Sequence, residues 1–469
     1  NNRIVHLMLK KKIKSKNNLY DQKGLEIHNF SKKLWKIHRS ITGPGVRQSL
    51  SLIKKKCEKV QIKSIKSETK VFDWKIPREW IINDAYILTP NNKKICNFKS
   101  NFLHLVSYSE PTNKYIDLKN LKKHLHTIKK RPKAIPYNTS YYKKNWGFCI
   151  SYNEFKKLKN GKYFVKIDSK FKKGELNYGE LLIEGKSKKE IFISTYICHP
   201  NLANNEISGP ALLTFIADWI LKMKNRRYSY RIVFVPETIG SIAYLSKNYK
   251  GMKKNTIAGY NLTCIGDSRE YSYMPSRNGD HLSDKAAKHV LKYIDRNYKT
   301  YSWLERGSDE RQYCSPGIDL PLCVIMRSKY GTYPEYHTSD DNLKDVVTPK
   351  GFSGSFKLIK LIIQAIENNY MPKATIIGEP FLSKRNFIYN KLNDKKNIKI
   401  DQKFFHVTDS MKKNINRNEI FFQRKLMHCF WWCDGKHDLF DIADKLNIPI
   451  WELDDVLKEL IRQKLIKKK

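Results

Sequence analysis

His199, Glu237, Asp267 and His337 are residues of types that bind metals or move protons, and they recur at one kind of place in this sequence. Each comes just after a short apolar run: residues 191–197 lead into His199, 231–235 into Glu237, 258–265 into Asp267, and 320–326 into the loop carrying His337. Runs of that length, rich in Ile and Val, read as buried strands. In an open α/β sheet the carboxyl ends of the strands form the edge where ligands bind. Two imidazoles and two carboxylates gathered there could hold a zinc ion, lower the pKa of a water to about 7, and take its proton. Each residue also has a plain structural reading. His199 could satisfy a backbone carbonyl, Asp267 could be a turn residue after Gly266, and Glu237 could sit on the dipole of the following helix.

The elements that must position these side chains are legible as patterns. Strands alternate with helical segments at 209–223, 241–248, 283–296 and 352–368, which is the signature of an α/β sheet. Residues 25–56 are helical in period and are interrupted by Arg39-Ser40-Ile41-Thr42-Gly43-Pro44-Gly45. Residues 59–179 carry short strand-like runs (85–88, 103–108, 147–150, 163–167) separated by Pro and Gly, a β-rich unit inserted in the main domain. Residues 1–20 are expected to be a basic tail, and 372–384 a linker. Residues 385–469 read as a winged-helix-like module with helices at 419–431, 440–446 and 449–463; Asp438 with Asp441 suits an N-cap, and Trp431-Trp432 reads as module core. The α/β domain is then 21–58 with 180–375.

Composition narrows the class. Ninety Lys and Arg against 45 Asp and Glu give a net charge of +45, which draws polyanions. The lysines are spread along the chain, however, in groups such as Lys54-Lys55-Lys56 and Lys467-Lys468-Lys469, which favours a general lysine bias over one nucleic-acid surface. The third helix of the small module also carries Glu452, Asp454, Asp455 and Glu459, acids that oppose phosphate. Nucleic acid and membrane are therefore not the expected partners; a protein partner through this module, or a second copy of the chain, is. Nine cysteines without a CxxC pair point to a reducing, cytoplasmic setting with no disulfide framework, and neither a signal peptide nor a membrane-spanning run is expected.

Five segments together resemble a known family. They are Cys198-His199-Pro200-Asn201-Leu202-Ala203-Asn204-Asn205-Glu206-Ile207-Ser208-Gly209, Pro236-Glu237-Thr238-Ile239-Gly240-Ser241, Gly266-Asp267, Gly307-Ser308-Asp309-Glu310-Arg311-Gln312-Tyr313 and Tyr336-His337-Thr338-Ser339-Asp340. The set is similar to the motif series of aminopeptidase-like proteins related to the zinc-dependent aminopeptidases. The early Arg39-Ser40-Ile41-Thr42-Gly43 segment and the closing module resemble the same family. The resemblance implies a zinc-exopeptidase-like mixed α/β sheet flanked by helices, with a β-rich inserted domain and a C-terminal winged helix. It also implies His199, His337 and Asp267 as metal ligands, and Glu237 as general base.

Two positions depart from the family pattern. Asn205 stands where a carboxylate would bridge two zincs, and Thr238 where a second acid would bind metal. One zinc per chain is therefore expected, with Glu206 or Asp309 completing its shell. Asp309, Glu310, Arg311 and Arg277, and also Arg327, are candidates for gripping substrate. The expected function is hydrolysis of an amide bond in a small peptide or other amide. The alternatives are a ligand-binding pseudoenzyme and binding of nucleic acid or protein by the winged helix.

Overall fold

The computed structural model describes residues 2–381, 385 and 417–469. Chain contacts divide into two units, Asn1–Leu361 and Ile362–Lys469.

The first unit is built on a mixed sheet. Its strands, in chain order, are β1 Gln61–Lys66, β2 Glu175–Ile183, β3 Ser187–Tyr196, β4 Tyr228–Val235, β5 Thr256–Leu262, β6 Ser272–Met274, β7 Lys299–Thr300 and β8 Leu322–Met326. Across the sheet the order is β1-β2-β4-β3-β5-β8-β6-β7. The four central strands β4, β3, β5 and β8 run parallel, whereas β1 and β2 pair antiparallel with each other and β2 pairs antiparallel with β4. Parallel strands need both faces covered, and Ile191, Phe192 and Ile193 of β3 are all fully buried. Helix Ser208–Lys222 packs on β3, Ile239–Asn255 on β2 through β4, and Leu282–Ile294 on β5 and β8. All four parallel strands end at one edge, and each then enters a loop carrying one of the polar residues named above.

Residues 2–20 continue the helix Asn2–Trp35 and are not a separate tail. A loop at 36–43 leads to a second helix, Pro44–Lys56, opened by Pro at its first position, where a missing N–H costs nothing.

The β-rich unit is a four-stranded antiparallel sheet in the order Lys94–Ile95, Glu79–Leu88, Lys162–Lys172, Thr112–Asp117. It is narrower than residues 59–179, because both ends of that stretch, β1 and the start of β2, pair within the main sheet. Residues 102–104 form a turn of 3-10 helix where a strand was expected.

In the second unit the helices Arg417–Trp431, Leu439–Leu446 and Asp454–Arg462 accompany a two-stranded sheet of Pro372–Ala374 and Ile466–Lys468. The start of the expected linker is thus a strand of the wing, with Pro at its first residue, where no ladder donor is lost. The rest of that linker, 375–384, lies only partly within the described residues. Asp438 and Asp441 form a reciprocal capping box. Trp431 is 64 % exposed and is not core: the helix turns Leu426, Cys429 and Phe430 inward and leaves Trp431 outside. All nine cysteines are buried and unpaired. Among the described residues no helix is long and apolar enough to cross a membrane.

Gly209 shows how closely the helix after the site is seated. A Cβ there would lie 2.1 Å from Thr195 Oγ1 and 2.8 Å from Leu262 O, the two atoms of one hydrogen bond between β3 and β5. Alanine favours a helix over glycine by about 1 kcal/mol, but the overlap outweighs that gain. Gly209→Ala is expected to lower unfolding free energy by roughly 1–3 kcal/mol, read as a lower urea midpoint at unchanged slope.

Candidate active site

The loop after β3 carries Cys198 and His199 and then turns into one turn of π-helix, Ala203–Ile207, before helix Ser208–Lys222. That wide turn brings Glu206 back beneath His199. Glu206 Oε2 lies 2.7 Å from His199 Nδ1, and Glu206 Oε1 accepts the backbone N–H of Cys198. The ring is thereby oriented, and its other nitrogen, Nε2, faces Glu237 Oε2 at 3.5 Å. Glu206 is fully buried. Its counter-charge is Arg39, also buried, whose Nε lies 3.9 Å from Oε1. Arg39 is held by Leu34 O at 2.7 Å and by Ser49 Oγ at 3.3 Å, so the loop before the second helix reaches directly behind the site.

Glu237 begins the loop after β4. Its backbone N–H donates to Cys198 Sγ at 3.3 Å, and its Oε1 accepts Ser308 Oγ at 3.1 Å. The next residue, Thr238, has φ 62° and ψ −76°, a strained conformation for a β-branched residue. Asp309 holds it there, with Oδ1 accepting Thr238 N–H at 2.7 Å and Ser241 Oγ at 2.9 Å. Asp309 Oδ2 is buried without a partner.

His337 arrives on the loop after β8, also at positive φ (54°). Its ring stacks on Tyr336, at 3.9 Å between centroids, and lies 6.0 Å from the His199 ring. Tyr137, from the inserted unit, lies against both, at 5.0 Å from His199 and 5.1 Å from His337. Tyr137 N–H donates to His337 O at 2.8 Å, Ser339 N–H to Ile135 O at 2.8 Å, and Arg131 pairs with Asp340 at 2.6 Å. The inserted unit therefore clamps the His337 loop.

The electrostatics divide the two rings. Burial opposes charge on His199, but the Glu206 carboxylate at 2.7 Å outweighs it and holds its pKa well above the ordinary imidazole range. The His337 pKa is pushed down to about 3, first by burial and then by His199, so this ring is neutral with its lone pair free. Burial raises Glu237, and burial together with Glu237 raises Asp309 well above the usual carboxylate range. Burial pushes the Cys198 thiol to about 12.

Of the remaining expected ligands, Asp267 has its oxygens engaged elsewhere, whereas Asn205 Oδ1 is buried without a hydrogen-bond partner. Asp267 accepts Asn204 Nδ2, the backbone and hydroxyl of Ser328, and Arg269 N–H, four hydrogen bonds of 2.9–3.0 Å that tie together the loops after β3, β5 and β8. Asn205 donates Nδ2 to Tyr196 OH at 2.9 Å, and the backbone amides of Asn204 and Asn205 are held by Asp341. Burial raises Asp341 to about 6. Sequence reasoning missed Arg39, Tyr137 and Asp341; the Arg39 segment was visible only as part of a resemblance. Glu310 accepts the amides of Gly307 and Ser308 and the hydroxyl of Tyr330, which shapes that loop. Arg277 pairs with Asp319 at 2.6 Å, and Arg327 is buried over the Tyr271 ring.

Two places could hold a cation. Cys198, His199 and Glu206 offer donors within 4.8 Å of one another. Nitrogen and oxygen ligands of a tetrahedral zinc, each about 2.0–2.1 Å from the ion, stand roughly 3.3 Å apart. The 2.7 Å between Nδ1 and Oε2 is a hydrogen bond, and Cys198 is a neutral thiol, so that side fits poorly. On the Nε2 side, a ring nitrogen turned to the site, the neutral His337 ring 6.0 Å away, and surroundings that favour positive charge on His199 suit a metal, with Glu237 Oε2 3.5 Å off as an acid–base neighbour and not a ligand. Glu206 then stands behind the ring as the carboxylate that orients a ligating imidazole.

A family model described as a domain of unknown function, DUF4910, matches residues 28–369. The chain belongs to this family. Behind the DUF4910 domain, a winged helix-turn-helix model matches residues 370–468. A Clostridium acetobutylicum protein named "Putative polysaccharide biosynthesis protein with aminopeptidase-like domain" is 40 % identical over 452 residues, covering 95 % of this chain and 96 % of the relative. The crystal structure of a peptidase-named protein ("putative peptidase") from Clostridium acetobutylicum superposes with a TM-score of 0.84 at 38 % identity, covering 98 % of this chain and all of that one. A zinc aminopeptidase from Bacillus subtilis superposes with a TM-score of 0.56 at 13 % identity over 73 % of this chain and 94 % of its own. The DUF4910 domain thus has the mixed α/β fold of the aminopeptidases.

Arg39 offers a direct test of the buried arrangement. Removing one partner of a buried ion pair leaves the other uncompensated, at a cost of roughly 3–5 kcal/mol. Arg39→Met is expected to destabilise by that amount in chemical denaturation, and by markedly less in a chain that already carries Glu206→Gln.

Proposed function

We propose that the chain is a peptidase-like, metal-dependent hydrolase of an amide bond. One observation carries this reading: His199 Nε2 faces Glu237 Oε2 at 3.5 Å, with the His337 ring beside it, at the carboxyl edge of the parallel strands. His199 and His337 would hold the ion. When bound, zinc polarises a carbonyl and lowers the pKa of water to about 7. Glu237 then serves as general base: Ser308 occupies Oε1, Oε2 points into the site, and a pKa raised by burial suits a group that must take a proton near neutrality and return it to the leaving amine. Asp309 keeps the Glu237–Thr238 peptide in its strained course. Tyr137 and Tyr336 wall the two rings. The aminopeptidase-like relatives support the reaction class. The polysaccharide name of one of them widens the candidate substrates from peptides to acylated amino sugars.

A second reading, a ligand-binding protein without turnover, draws on Asn205 and Thr238, neutral where the resemblance places acids. Both readings expect a single ion, since neither residue offers the charge a second dication needs. Metal analysis of protein purified without chelators is expected to give about one zinc per chain, and two would overturn the single-ion site. With a panel of aminoacyl and N-acyl amides, Glu237→Gln is expected to lower kcat at least ~100-fold with zinc content retained. Wild-type turnover of none of the panel would favour the second reading.

A further inference from the structure

Of three arginines that could meet a substrate anion, the structure commits two elsewhere: Arg277 to Asp319, and Arg327 to a buried place over Tyr271. Arg311 is different. It lies in the short helix Glu310–Tyr313 and is exposed. Its Nε donates to Ser308 O at 3.0 Å and its Nη2 to Thr238 Oγ1 at 3.1 Å. Ser308 is the residue whose hydroxyl holds Glu237, and Thr238 is the residue after Glu237, so the guanidinium is anchored by both neighbours of the proposed base. It is close enough to act on the Glu237 charge.

Arg311 pairs with no carboxylate among the described residues, although acids surround it in sequence. Asp309 is turned to Thr238 N–H and Ser241, and Glu310 to the amides of Gly307 and Ser308. A fixed guanidinium with a free edge is a receptor for a planar oxyanion, most simply a carboxylate. The substrate's free ammonium group, which an N-terminal peptide would bring, would meet like charge there.

We propose that Arg311 is a substrate-binding residue that receives a carboxylate of the substrate, so that the amide presented to Glu237 belongs to an N-acyl acid and not to the free amino end of a peptide. This rests on the hydrolase reading for the reaction, but not for the binding. It also gives Thr238 a role: where a second metal-binding acid is missing, its hydroxyl steadies the cation that remains.

The test is binding of two probes, N-acetylglycine and its neutral amide, to the zinc-loaded full chain by calorimetry. Charge-assisted hydrogen bonds are worth about 1.5–3 kcal/mol, so the acid is expected to bind roughly tenfold or more tightly than the amide. Arg311→Gln is expected to abolish that preference and Arg311→Lys to keep part of it, with zinc content and melting temperature monitored as folding controls. Equal binding of the two probes by the wild type overturns the proposal. So does a preference that survives Arg311→Gln, since the carboxylate would then be held by the ion. A chain that prefers the acid in this way yet cleaves no amide would sink the hydrolase reading alone.

Discussion

A carboxylate sealed from water needs a countercharge and hydrogen bonds, and the position of Glu206 under His199 depends on both being supplied. One of its oxygens fixes the imidazole; the other takes the Cys198 amide and faces Arg39. Much of the architecture follows from this demand. The helix Asn2–Trp35 must stop where Leu34 can hold the guanidinium, the loop at 36–43 must fold inward, and the π-turn at 203–207 must supply the extra residue that swings Glu206 back. Wide turns of this kind cost backbone regularity and are found mostly where a side chain must be aimed.

The outer face of the same ring looks onto a mixed environment: an imidazole kept neutral first by burial and then by its charged neighbour, a carboxylate raised by burial, and a wall of tyrosines. Two histidines 6.0 Å apart cannot both carry protons in a place this dry.

The sheet and most of its helices were legible in the sequence, because buried parallel strands are written as uninterrupted apolar runs and the helices as 3.6-residue periods. The convergence of His199, Glu237 and His337 followed from a rule about strand ends. What could not be read was which polar atoms face the site and which brace it. Asp267 has the right type and place for a ligand, yet its oxygens are filled by Asn204, Ser328 and Arg269, partners 2 to 63 residues away. Glu206 reads as a ligand until the π-turn places it behind the ring. The inserted unit is legible as β-rich, but its edges are not, since β1 and β2 are short strand-like runs like those of the insert and only their pairing assigns them to the main sheet. Trp431 was misplaced for a similar reason: composition says core, and helical phase says otherwise.

The clamp between Arg131 and Asp340 joins residues 209 positions apart. Loop closure over such a separation is entropically dear and kinetically late. The pocket therefore stays half-built through most of synthesis: one imidazole, its carboxylate and its arginine are already in the growing chain, while the second ring waits for the last strand of the sheet. Until then the nascent protein has only one of the two imidazoles that line the site.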